Sequence, residues 1–155
     1  MHHDATFFLI TCSALVLFMT PGLAFFYGGL VRAQSVVSMM MMSFGSLGLI
    51  SVLWIFYGYA VSFGDPTSST FVGWPAVFGF EPGKLFFSDA LKSSLAGDGF
   101  PMVFGGFQGT FAIITVALIS GAIADRAKFG SWMVFAGIWA TLVYFPVASW
   151  VFNFT

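Results

Sequence analysis

Charge is scarce in this chain. Lys, Arg, Asp and Glu together make up 7% of its 155 residues, where a soluble domain has roughly a quarter. The scarcity is also local. Every charged side chain falls at the N-terminus or between apolar runs, and none falls inside one. A proton pump or ion-coupled carrier keeps an ionisable group at membrane depth. Its absence favours a path for a small solute that crosses neutral, or no path at all. The net charge of -1 excludes an electrostatic case for nucleic acid as a partner. Cysteine is nearly missing too: Cys12 stands alone, so no disulfide can close within the chain. Histidine occurs only as His2 and His3. No Cys and His spacing suggests a metal, no cofactor is implied, and no nucleophile with a base or pair of carboxylates points to an enzyme.

Apolar residues are abundant. They make up 59% of the chain, with 22 Phe and 18 Gly, which predicts an all-α, polytopic transmembrane helix bundle lying in a lipid bilayer. Four runs are long enough to span: about 7–31, 36–63, 101–124 and 129–152. Pro21 predicts a kink in the first and Pro146 a kink near one end of the fourth. Met39 to Met42 read as core filler in the second. Trp54, Tyr57 and Tyr59 gather at its far end, as an interfacial belt would.

The connection over about 64–100 changes character. Asp65-Pro66, Pro75 and Pro82-Gly83, with Glu81, Lys84, Asp89, Lys92 and Asp98, break any span. Ser88 to Leu95 reads as a short helix capped by Ser88. Phe71, Trp74, Phe78, Phe80, Phe86 and Phe87 suggest that the segment lies against the membrane surface. The two short connections carry Arg32, and then Arg126 with Lys128. The positive-inside rule places both in the cytoplasm, with the N-terminus, the long connection and Thr155 outside.

One stretch organises the rest: Phe107-Gln108-Gly109-Thr110-Phe111. Phe107 and Phe111 are four apart and share a helix face. Gly105 and Gly109 are also four apart and leave a bare strip where a second backbone could approach, including that of another copy. The rings could line a pore or simply pack. Gln108 reads as an interhelical hydrogen bonder, since an amide in a span needs a partner.

The run Met19 to Arg32 (Met-Thr-Pro-Gly-Leu-Ala-Phe-Phe-Tyr-Gly-Gly-Leu-Val-Arg) closely resembles the first-helix signature of the ammonium transporter (Amt/MEP/Rh) family. The resemblance resumes over Phe107 to Thr115 and Ala117 to Arg126, where the family commonly ends in Ala-Glu-Arg, and continues through Tyr144 to Ala148. It covers essentially everything but the 64–100 connection. It implies a bundle of eleven helices, a homotrimer in the cell membrane, and one conduction path per subunit for ammonium or ammonia. That path has an outer aromatic recruitment site, a phenylalanine gate, and an apolar pore past two histidines. By position, Phe107 resembles the wall of the recruitment site and Phe111 the gate ring. Phe152 falls where the family has a tryptophan, and a phenyl face is weaker than indole for a cation. Ser149 stands where the family has histidine and is assigned no role.

The family's fifth helix, with its buried aspartate and first pore histidine, would begin just past Thr155. The expectation is therefore an N-terminal portion, incomplete for conduction. The alternatives are an ammonium-sensing membrane module of a signalling protein, or a truncated protein that transports nothing. With Thr155 outside, this stretch alone cannot connect to a cytoplasmic signalling domain. Exposed faces would lower its stability or drive association through Gly105 and Gly109.

Overall fold

The computed structural model describes residues 2–64 and 82–152. Every regular element among them is a helix. Four are long and apolar enough to cross a membrane: Asp4–Leu30, Val36–Ser62, Phe100–Ile123 and Phe129–Phe152. They are called here the first to fourth spans. Satisfying every backbone group within its own segment is what lets such helices lie in lipid.

The third span is the centre. In its most apolar window 44% of residues are buried, against 11% for the first span. Ala112 and Val116 pack there without exposure, beside Ile50 of the second span and Trp132, Ala136 and Phe145 of the fourth. Lipid tails are as apolar as these side chains, so association depends on close contact and on polar groups finding partners. Both appear. Gly45 lies under Phe129 and Met133, and Gly58 lies under the Phe145 ring. Trp132 donates its indole N–H to the Met42 carbonyl at 3.1 Å and to the Ser46 hydroxyl at 3.0 Å. Tyr27 donates to the Leu118 carbonyl at 3.1 Å and covers Gly121.

Pro21 leaves the first helix unbroken, as one element over His2–Leu30. The fourth span widens into a π-turn at Ala140–Tyr144, directly ahead of Pro146. A π-turn absorbs the hydrogen bond that proline cannot make. The second span has a π-turn as well, Trp54–Gly58, without a proline. Of the methionine run, Met39 and Met42 are core while Met41 is exposed.

Two expectations from sequence fail here. Trp54 and Tyr59 do not form an interfacial belt; they are 3% and 8% exposed. Tyr57 also turns inward and pairs with the Thr141 hydroxyl at 2.6 Å. Thr141 gives its own proton to the Gly137 carbonyl at 2.8 Å, so Tyr57 is the donor. Amphipathic rings go where the polar tip is satisfied, and here the bundle supplies the acceptors. Nor does the Gly105 and Gly109 strip admit another backbone. Phe87 and Tyr59 cover Gly105, and the Trp54 indole covers Gly109, so the strip is no surface for self-association.

Beyond the second span, Lys84 reaches back to the Phe63 carbonyl at 2.7 Å. Phe86 and Phe87 take left-handed backbone, with φ of 55° and 57°, a strain of about 1–3 kcal/mol each. It delivers the Phe87 ring onto Tyr59 and Gly105. Thus Phe87 packs on the bundle itself, while Phe86 stays exposed beside Phe56. Phe71, Trp74, Phe78 and Phe80 lie outside the described residues. The helix Ser88–Leu95 is present, but its N-cap is Phe87. Ser88 instead donates its hydroxyl to the Gly83 carbonyl.

Candidate functional site

Phe107 and Phe111 sit one turn apart on the third span. Their rings meet edge to face, with centroids 5.0 Å apart and planes at 84°. Phe107 is half-buried, and Phe111 is 36% exposed, so part of its ring remains open to a neighbour. Between them, Thr110 returns its hydroxyl to the Phe107 carbonyl at 2.6 Å and so offers no free proton. Gln108 is half-buried, and its side chain makes no hydrogen bond among the described residues, so the expected interhelical bond is not formed with any of them.

Phe152 lies at the end of the fourth span, 38% exposed. Among the described residues, no ring contact joins it to Phe107 or Phe111. The structure therefore brings together two of the three candidate rings. Ser149, one turn before Phe152, is half-buried, and its side chain makes no hydrogen bond among the described residues.

Behind the ring pair stands an aromatic cluster that the sequence did not single out as functional. Trp54 donates its indole N–H to the Gly105 carbonyl at 3.0 Å. Around it pack Tyr59 at 6.4 Å, Phe63 at 6.4 Å and Phe145 at 5.7 Å, all edge to face. Phe145 also meets Tyr57 at 5.7 Å. The signal was partial: Gly105 and Gly109 marked where something large would fit, without saying which ring.

The two short connections come together at one end of the bundle. Ser35, the last residue of the first connection, and Ser38 just past it share a cavity of about 140 Å³ with Asp125 and Ala127 of the second. Asp125 takes left-handed backbone (φ 62°) in that turn, a conformation Asp tolerates better than most residues. Arg32, Arg126 and Lys128 belong to these same two connections. Among the described residues, no group of three or more His, Cys, Asp or Glu side chains is placed to hold a metal ion.

Four apolar spans with an uncharged interior and a ring pair on the central helix define a multi-pass membrane protein. A model described as the Ammonium Transporter Family matches residues 7–155, and the chain belongs to that family. It is 52% identical over 160 residues to an ammonium transporter of Mycobacterium tuberculosis (strain ATCC 25618 / H37Rv), covering 96% of this chain and 33% of that protein. It is 44% identical to an ammonium transporter of Bacillus subtilis (strain 168), covering 99% of this chain and 36% of the relative. Against "Ammonium transporter Amt1" of Archaeoglobus fulgidus the identity is 38%, over 94% of this chain and 33% of the relative. The chain thus spans about a third of the length of the curated relatives it matches.

Proposed function

We propose that residues 1–155 are the partial membrane domain that supplies the outer recruitment site and gate of an ammonium transporter. The observation that carries this reading is the edge-to-face pair of Phe107 and Phe111 on the central span, with one ring left partly open. Phe107 forms the wall of the site, Phe111 the gate, and Phe152 the third ring. A partly dehydrated ammonium ion gains roughly 0.5–2 kcal/mol over each ring face. That offsets some of its lost hydration but not passage of a charge through hydrocarbon. With no charged side chain in any span beyond Asp4 at the very start of the first, the narrow part carries neutral ammonia and the proton is handled separately.

The N-terminus faces outward in this reading. The support is that both basic connections gather at one end, which the positive-inside rule assigns to the cytoplasm. A complete path needs more than four spans, in keeping with relatives about three times as long. The first span, exposing Phe7, Phe8, Phe18 and Phe25, has ample surface for the bilayer and for a homotrimer contact.

The test is ammonium-driven pH change in vesicles containing the natural protein that carries this chain. Flux above that of empty vesicles, weakened by Phe107→Ala, is the expected result. Flux equal to that of empty vesicles overturns the reading.

A further inference from the structure

We propose that Trp54 is a positioning residue: it fixes the rotation of the third span, and with it where the Phe107 and Phe111 rings stand relative to the fourth span. The proposal rests on the reading of those rings as the ammonium site.

The geometry has three parts. First, the indole N–H of Trp54 holds the Gly105 carbonyl at 3.0 Å, across 51 residues of chain, with Trp54 only 3% exposed. Second, the same indole fills the place of the missing side chain at Gly109; a Cβ there would stand 2.8 Å from its ring atoms. One side chain therefore grips two successive turns of the third span. Gly105 precedes Phe107 by two residues, and Gly109 precedes Phe111 by two. Two residues turn a helix by about 200°, so Trp54 grips the face opposite the rings at their own depth. Any rotation of the third span that moves the rings must break the Trp54 bond or drive a helix backbone into the indole.

Third, Trp54 also holds the other ring-bearing helix. Phe145, fully buried, meets it edge to face at 5.7 Å and is seated on Gly58. Phe145 begins the helix that ends at Phe152. Phe107, Phe111 and Phe152 thus take their placement from a single indole that faces none of them. The wide turn Trp54–Gly58 brings Trp54 and Gly58 to this contact within one helical segment.

The test uses the natural protein in vesicles and reads ammonium flux against ammonium concentration. Trp54→Phe keeps a ring and removes the N–H. Gly109→Ala keeps the indole and pushes it from the helix, and serves if Trp54→Phe fails to fold. Each is expected to raise the half-saturating concentration about fivefold, with a smaller loss of maximal flux. In a Phe107→Ala background, Trp54→Phe is expected to add nothing further. A packing role alone would lower maximal flux equally in both backgrounds and leave half-saturation in place; that outcome overturns the proposal. So does unchanged half-saturation in both single variants when Phe107→Ala raises it.

A second readout separates this failure from failure of the site itself. In a protein carrying Phe111→Cys, with Cys12 and any cysteine outside these 155 residues replaced by Ser, a water-soluble thiol reagent reports the position of residue 111 without flux. A labelling rate changed by Trp54→Phe, together with half-saturation indifferent to Phe107→Ala, upholds positioning and sinks the ammonium site. A labelling rate that Trp54→Phe leaves unchanged overturns positioning.

Discussion

Phe87 stacks on Tyr59 with ring centroids 4.4 Å apart and planes at 20°. The contact ties the long connection to the end of the second span, and the same Phe87 ring closes over Gly105 of the third. A left-handed φ of 57° at Phe87 is the cost of placing it there. Phe87→Ala is expected to lose about 3 kcal/mol, the lower end of the range for removing a packed phenyl ring. Unfolding in a denaturing detergent series measures it. A change below about 0.5 kcal/mol would mean that the connection does not brace the bundle.

Glycines separate sharply by what surrounds them. A Cβ at Gly58 would stand 2.7 Å from the Phe145 ring, which is fully buried. Gly58→Ala is therefore expected to destabilise by about 1–3 kcal/mol. A Cβ at Gly22 would meet nothing within 4 Å beyond its own turn of helix, and alanine is the better helix former by up to about 1 kcal/mol. Gly22→Ala is expected to be neutral or stabilising. Equal effects from the two substitutions in thermal unfolding would contradict the packing described here.

The Trp132 indole serves two acceptors, Met42 O and Ser46 Oγ. Trp132→Phe removes both bonds and shrinks a fully buried ring, while the Ser46 hydroxyl stays bonded to the Met42 carbonyl at 2.8 Å. It is expected to cost about 1–3 kcal/mol from the lost bonds and the space left behind. Ser46→Ala leaves the indole a partner, because it keeps the Met42 carbonyl. It should cost about 0.6 kcal/mol, the mean for a side-chain hydrogen bond between helices in a membrane. The ordering of the two variants in the same unfolding assay is the check.

For transport, Phe111→Ala is expected to raise the half-saturating ammonium concentration roughly 2- to 30-fold, the equivalent of one cation–π contact. Phe152→Trp restores an indole face at the third ring and should shift it the other way. Concentration series of flux in vesicles read both. No shift in either variant would remove these rings from the site.

The spans were legible because an uncharged apolar run of membrane length has few other uses. The turns were legible because Arg32 and the Asp125 to Lys128 cluster interrupt those runs. The inward turn of Trp54, Tyr57 and Tyr59 was not, since rings at the end of a run suit a lipid interface or a core equally well. What decides is an acceptor far along the chain: Gly105 O for Trp54, Thr141 for Tyr57. The π-turn at Trp54–Gly58 has no proline to announce it. At the candidate site, helical spacing sufficed to join Phe107 with Phe111. The placement of Phe152 depends on a different helix, and Phe145 was passed over inside a motif that already contained it.

The most enclosed helix of the bundle is third in the chain. A ribosome delivers it only after the first two have entered the bilayer. During that interval Trp54 has no Gly105 carbonyl to meet, and Tyr27 has no Leu118 carbonyl. The first hairpin waits in lipid with two polar tips unclaimed, and the arrival of Phe100–Ile119 claims both. Assembly is thus arranged as a delayed closure, in which the last partner to arrive at each bond is also the helix that carries the ring pair.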